Sequence, residues 1–236
     1  MKILFYLFIT ISILNAQSFS SAKKKLLKKV YFDHQTTFYC QNPYLLEQVK
    51  GKEKALIIED KSKYTPRNVY TKKGKVNIRA KRVEWEHIVP AENFGRQFSC
   101  WRDGDSRCIK KGKSYKGRRC CKKVSTDFKR MEADMMNLVP AIGEINSDRS
   151  NYRFMDTNEN LKGQYGECKF KVDSKGKKVY PANYTKGFIG RTYLYFEKKH
   201  NMKLSDRDKK MFKAWDKMYP PTKWEKIRAD RINKLQ

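Results

Sequence analysis

The chain has 236 residues and a formal net charge of +29, from 54 lysines and arginines against 25 acids. A hydrophobic fraction of 39% with 13% aromatic residues supplies a packed core, which excludes a disordered basic tail and suits a single domain. Charge of this sign and size speaks to partners rather than to fold, and the partners it favours are anionic polymers or anionic membranes.

At the N-terminus Lys2 precedes an apolar run from Ile3 to Leu14, and Leu14-Asn15-Ala16 ends in a small residue. This is the pattern of a secretory signal peptide cut after Ala16. The run is shorter than the roughly 20 apolar residues of a membrane-spanning helix. One mature domain over residues 17–236 is expected, periplasmic or secreted, and without Lys2 its charge is +28. Export gives meaning to the six cysteines Cys40, Cys100, Cys108, Cys120, Cys121 and Cys168, an even set that reads as disulfides. Zinc is the weaker reading, since no CxxC spacing occurs and there are only three histidines.

"SSAKKKLLKKVY" sets Leu26, Leu27, Val30 and Tyr31 on one helical face against lysines, so a short amphipathic helix docked on the domain is expected. "ALIIED" and "NVYTKKGKVNIRAKRVEWEHIV" have strand character, with a turn at Lys73-Gly74. Glu86 and His87 then fall near a strand end, ahead of Pro90. Residues 102–130 carry twelve Lys or Arg against three acids, with Gly104, Gly112 and Gly117 and no helical period, which predicts a basic loop closed by cysteines at about 100–125. In "DFKRMEADMMNLVPAIGEINSDRSNYRF", Pro140 suits a helix first turn and Ile142 and Ile145 share a face; a strand or short helix and then a helix are expected. The C-terminal third reads as three helices. The first buries Ile189, Tyr193 and Phe196. The second opens at Ser205 with Asp208, buries Met211, Phe212, Trp215 and Met218, and stops at Pro220-Pro221. The third opens at Thr222 with Glu225.

Adjacent residues of a regular strand point to opposite faces, so Glu86 and His87 cannot simply bond each other. A division of labour suits them better: a carboxylate that ligates a metal and an imidazole whose ordinary pKa lets it accept a proton near neutrality. "GEINSDRSN" offers Glu144, Asn146, Asp148 and Asn151 within two helical turns, and hard divalent cations take one or two such oxygens while keeping several waters. Each stretch alone also has a bland reading, a buried pair and a set of surface caps. Together, on a strongly basic chain, they look like a metal-dependent phosphodiesterase site.

"EWEHIVPAENFG" followed by "MEADMMNLVPAIGEINSDRSNYRF", with "YFDHQTTFYC" upstream and "IGRTYLYF" and "AWDKMYPPTKWE" downstream, resembles the bacterial endonuclease I family over most of residues 31–232. The resemblance implies an α+β fold around a ββα-metal (His-Me finger) nuclease core with additional helices, stabilised by disulfides. It implies a periplasmic or secreted, sequence-nonspecific endonuclease that hydrolyses DNA, with RNA as a further candidate substrate. The family's general base falls on His87, its metal ligands on Glu86 and Asn146, and the glutamate of its "MEAD" on Glu132, which helps orient the base. The ion implied is Mg²⁺, with Mn²⁺ or Ca²⁺ as other divalent candidates. The family's phosphate-binding arginine, just ahead of a cysteine, falls on Arg118, but this chain carries an extra lysine-rich segment there, and a different gap placement would assign Arg107 or Arg119. The same matching implies the pairs Cys40–Cys168, Cys100–Cys121 and Cys108–Cys120. Met136 stands where the family often has histidine, and Lys226 where it has cysteine. A monomer that holds DNA through its phosphate backbone, without stable membrane insertion, is expected.

Two other readings compete. A secreted basic protein that coats nucleic acid or acts on membranes without catalysis would explain the charge, but not the Glu-His strand joined to an Asn-bearing helix. Glycoside hydrolysis by Glu84 and Glu86 fails on spacing, because residues two apart on a strand share a face and sit too close to flank a sugar bond.

Overall fold

A computed structural model describes residues 17–157 and 159–235; the proposed signal peptide lies outside the described residues. In chain order the elements are helix α1 (Phe19–Lys25), continued by a wide helical turn Leu26–Val30; strands β1 (Tyr44–Val49) and β2 (Lys52–Ile57); a 3-10 turn Ile78–Lys81; strand β3 (Val83–His87); and short helices α2 (Ala91–Gly95) and α3 (Ser99–Arg102). Then come the hairpin β4 (Ile109–Lys110) and β5 (Lys113–Ser114), helices α4 (Arg118–Val124) and α5 (Thr126–Glu132), strand β6 (Leu138–Ile142) and helix α6 (Gly143–Arg149). Strands β7 (Arg153–Phe154), β8 (Phe170–Asp173) and β9 (Lys178–Pro181) and helices α7 (Asn183–His200), α8 (Asp206–Met218) and α9 (Lys223–Asn233) complete the chain. The protein is α+β.

The centre is the antiparallel pair β3–β6, in which Glu86 faces Val139 and His87 faces Leu138 across the ladder, and β6 runs directly into α6. Every residue of β6 is buried, whereas β3 is half-exposed until Glu86 and His87. The expected helical start at Pro140 is not what forms: Pro140 lies in β6 opposite Trp85, and the helix begins at Gly143. Both strands of a two-stranded ribbon are edges, where a missing N–H is tolerated, and the Pro140 carbonyl accepts the Phe38 N–H at 2.8 Å. Residues 78–81 form a 3-10 turn rather than strand, capped by the Asn77 side chain on Arg79 N. The end of the expected basic loop, residues 118–124, is helical in α4, and α5 supplies a short helix where a strand or short helix is expected.

The N- and C-terminal elements close over one side of this centre. Ala22, Leu26, Val30 and Tyr31 form a small core with Ala133, Met135, Leu138 and Ile232, so the basic amphipathic helix does dock on its own domain. Leu27 is the exception, turned partly outward. The larger core joins α7 and α8, with Ile189, Tyr193 and Phe196 buried against Phe212 and Trp215. The predicted caps form: Ser205 accepts from Asp208 N and Thr222 from Glu225 N. Met218, expected inside, is 65% exposed in the last turn before Pro220. The disulfides are Cys40–Cys168, Cys100–Cys121 and Cys108–Cys120, as the resemblance implied.

Arg228 of α9 is 2% exposed and donates from Nε to the Tyr31 hydroxyl (2.7 Å) and from Nη2 to the carbonyls of Met135 (2.6 Å) and Leu138 (2.9 Å). It thereby ties the C-terminal helix to the turn that leads into β6. Arg228→Met keeps the volume but leaves buried carbonyls without donors, and each such group costs roughly 1–3 kcal/mol. A loss of about 3 kcal/mol in a urea titration is expected; a change below about 0.5 kcal/mol would show that the carbonyls are satisfied another way.

Candidate active site

Period-two alternation puts Glu84 and Glu86 on the face of β3 that α6 covers, and His87 on the other. Gly143 makes the close approach of α6 workable: a Cβ there would lie 2.8 Å from the Arg79 carbonyl and 2.9 Å from Glu84 Oε1. Two rungs join strand to helix. Glu84 Oε2 accepts from Asn146 Nδ2 at 2.8 Å, and one turn on, Arg149 Nε stands 3.3 Å from Glu86 Oε1.

Glu84 is held ionised. Burial alone would raise its carboxyl, but the Arg79, Arg82 and Asn146 hydrogen bonds hold it below the usual carboxylate range. A carboxylate can only accept, so the Asn146 amide must turn its nitrogen to Glu84 and its oxygen away. That oxygen takes no hydrogen bond from a described residue and is not sealed from solvent.

Glu86 is 3% exposed, and burial lifts its carboxyl above the ordinary value, opposed by Arg149 and by the Tyr39 hydroxyl. Both act on Oε1, the Tyr39 hydroxyl donating at 2.9 Å. Oε2 is left without a hydrogen bond from a described side chain and, like the Asn146 oxygen, is not sealed. Of the other oxygens in "GEINSDRSN", Glu144 accepts from Tyr64, Arg67 N and Asn68 N, Asp148 from Tyr165, and Asn151 pairs with Glu92. No described side chain donates to the Asn146 amide oxygen or to Glu86 Oε2, and both residues sit on the α6 side of the ribbon. Among the described residues no group of three or more His, Cys, Asp or Glu could hold a metal. A pair of oxygens completed by water and phosphate is, however, the donor set that Mg²⁺ accepts, and a buried carboxylate under strain of desolvation is relieved by a cation.

His87 faces α5 and α1. Its Nε2 lies 2.8 Å from the Glu132 carbonyl oxygen, which can only accept, so Nε2 carries the proton and Nδ1 is the lone-pair nitrogen of the neutral ring. Nδ1 makes no hydrogen bond to a described residue. Phe19 of α1 stacks on the ring at 4.9 Å between centroids. Burial and the nearby Arg118 hold the imidazole pKa down to about 3, against the hydrogen bond to Glu132, which favours the charged form. The ring is therefore neutral across the physiological range.

Glu132 serves twice: its carbonyl orients His87 and its carboxylate, 2% exposed, receives Arg118 Nε at 2.6 Å. Arg118 also lies over Phe19, 5.6 Å from the ring centroid. The other two arginine candidates are engaged elsewhere, Arg107 in a two-pronged pair with Asp105 and Arg119 over the Tyr115 ring. Arg118 opens onto a shallow groove lined by Tyr115, Arg119, Lys122 and Lys123.

Four residues that position this site do not stand out from the sequence. Arg149, 1% exposed, donates from Nη2 to the Ile88 carbonyl at 2.7 Å and from Nη1 to that of His87 at 3.2 Å. Asn137 pairs both ways with the Val89 backbone and so extends the ladder past His87. Tyr39 is anchored by its neighbour's disulfide, Cys40–Cys168, and Glu84 by its arginines. Only the last carried a readable signal, a carboxylate two residues before Glu86 on the same strand face.

The Endonuclease I family profile matches residues 18–236. An extracellular deoxyribonuclease of Aeromonas hydrophila is 42% identical over 223 residues, 94% of this chain and 86% of its own length. A periplasmic deoxyribonuclease of the same organism is 42% identical over 222 residues, 94% of this chain and 83% of its own. Endonuclease-1 of Buchnera aphidicola subsp. Acyrthosiphon pisum is 39% identical over 211 residues, with 88% and 73% covered. A family match across residues 18–236, with relatives about 40% identical over most of the chain, makes this protein a member of the endonuclease I family.

Proposed function

We propose that this endonuclease is exported and hydrolyses phosphodiester bonds of DNA without sequence preference, using a divalent ion of the Mg²⁺ type held by Glu86 and Asn146, on a ββα-metal core formed by β3, β6 and α6. The observation that carries this reading is the lone pair on His87 Nδ1, fixed there by the Glu132 carbonyl on Nε2, at the same strand end whose opposite face sets Glu86 against the helix that bears Asn146. The relatives named as extracellular and periplasmic deoxyribonucleases support DNA as substrate and export as destination, and three disulfides fit an oxidising compartment. No described helix is long and apolar enough to cross a membrane.

When bound, the ion would draw charge from a nonbridging phosphate oxygen and stabilise the departing oxygen. The protein does the rest. His87 Nδ1 takes a proton from the attacking water, and the imidazolium so formed keeps its orientation through Nε2–H and the Glu132 carbonyl. Arg118, fixed by the Glu132 carboxylate yet 44% exposed at its side chain, neutralises phosphate charge from the other side. Its groove partners Arg119, Lys122 and Lys123 extend the contact along the backbone, where contacts carry no base information.

His87→Ala is expected to lower plasmid cleavage by about 10² to 10⁴, the usual worth of a general base, while binding of a labelled duplex by fluorescence anisotropy persists. Near-normal nicking by that variant would remove the base from this account. Asn146→Ala should raise the Mg²⁺ concentration for half-maximal cleavage; an unchanged Mg²⁺ response would place the ion elsewhere.

A pH effect on stability follows from the buried ring. The folded pKa of His87, about 3, lies below the ordinary 6.5, so between these values the unfolded chain binds the extra proton. Native stability is thus fully present above 6.5 and declines as pH falls toward 3. His87→Gln, which cannot take that proton, should lose less stability than the wild type between pH 6.5 and 4 in thermal melts; parallel curves would contradict a buried neutral imidazole.

A further inference from the structure

The segment from Val69 to Ile78 leaves the body of the protein as a finger. Its limbs are held by the Tyr70–Val76 bridge and by Asn77 N to the Val69 carbonyl, and its tip turns at Thr71–Lys75, with Gly74 at φ +70°. Val69, Tyr70, Val76 and Ile78 are 52, 62, 50 and 63% exposed. They are four of the nine exposed large hydrophobics among the described residues, gathered within ten positions. Scattered exposed apolar side chains need no explanation, whereas a cluster on a projecting element marks a contact surface. Lys72, Lys73 and Lys75 stand exposed at the tip.

The root of the finger is built into the candidate site. Glu144, 2% exposed on α6, accepts from Arg67 N (3.0 Å), Asn68 N (2.8 Å) and the Tyr64 hydroxyl (2.6 Å), and the Asn77 amide reaches it from the other limb. Glu144 lies two residues before Asn146. The returning limb ends at Arg79, which bonds Ser147 on the same helix and Glu84, the residue that turns Asn146. The finger therefore shares a rigid frame with the proposed metal ligand.

We propose that this finger is a duplex-contacting wedge: Tyr70 and Ile78 press into a groove of double-stranded DNA beside the scissile phosphate while Lys72, Lys73 and Lys75 take flanking phosphates. The proposal rests on the nuclease reading and adds a substrate form to it, since a groove exists only in a duplex. Charge decides between occupants. A second copy of the chain would set lysine tip against lysine tip, whereas duplex DNA offers phosphates to the cations and the apolar faces of stacked base steps to the bare side chains, and apolar wedges beside cationic groups are how proteins open or bend such steps.

The test is the double variant Tyr70→Ser/Ile78→Ser, whose sites are exposed enough to spare the fold, checked by its thermal melt. Hydrolysis is measured with Mg²⁺ on a short duplex, on the matching single strand and on bis(p-nitrophenyl) phosphate, which has no groove to contact. The ratio of kcat/KM on duplex to that on the small diester should fall on the order of tenfold, the effect of leaving two partly buried apolar side chains out, and the duplex-to-single-strand ratio should fall with it. An unchanged ratio overturns the wedge. So does loss in the variant of a wild-type dimer in sedimentation velocity, or of wild-type binding to anionic phosphatidylglycerol vesicles. If the wild type hydrolyses none of the three substrates, the nuclease reading fails by itself, and duplex against single-strand binding by anisotropy under chelator still reads the finger: equal duplex affinity of wild type and variant overturns it.

Discussion

A single buried guanidinium holds the proposed chemistry in register. Arg149 ends α6 with its whole side chain inside the protein, and its donors meet the carbonyls of His87, Ile88 and Ser150 while its Nε stands against Glu86. The backbone leaving a strand end has carbonyls with no ladder partner, and buried carbonyls demand donors. One cation answers that demand, and it also places a positive charge beside a carboxylate that burial would otherwise neutralise. The helix that carries Asn146 and the strand that carries Glu86 and His87 are fixed to each other by this contact together with the Asn146–Glu84 bond one turn earlier.

His87 shows how burial and reactivity are reconciled. A base whose pKa lies near 3 is a weak proton acceptor in bulk terms, yet the causes of that low value are local: desolvation and the positive charge of Arg118. A phosphate diester arriving between Arg118 and the ring would bring negative charge to the same place, and opposite charge favours the protonated imidazole. On the proposed mechanism, the ring would stay neutral until a phosphate arrives, and the arriving charge would raise its basicity. Glu132 supports both halves of this arrangement, orienting the ring with its carbonyl and the arginine with its carboxylate.

Much of the site could be read from the sequence because its chemistry is local. Glu86-His87 sits on one strand and Asn146 on the helix that follows the partner strand, the elements that strand alternation and the family resemblance point to for the candidate residues. The three C-terminal helices were equally legible, since Ser205 and Thr222 cap in the expected way and the apolar period is clean. What stayed hidden depends on distant partners. Arg149 looks like any surface arginine until the carbonyls of Ile88 and His87 appear beside it. Pro140 favours a helix start by local rule, yet the ribbon edge accepts it. Glu144 has the chemistry of a metal ligand, and only the fold commits it to the amides of Arg67 and Asn68.

Helix α4 marks the limit of local reasoning most sharply. "RRCCKKV" opens on two arginines at the end of a helix that repels cations, its N-cap Gly117 offers no side-chain acceptor, and no acid lies in its first turn. Arginine and lysine are good helix formers in an interior, but nothing in those seven residues starts a helix here. Two tertiary facts hold it: Cys120 and Cys121 bridge to Cys108 and Cys100, and Arg118 finds the buried carboxylate of Glu132. The bridges restrict the unfolded chain between residues 100 and 121, where eight lysines and arginines repel one another. The disulfides therefore do more than stabilise an exported domain. They hold in helical form a segment whose own charge opposes it, and that segment is the one that carries Arg118, the arginine proposed to meet phosphate.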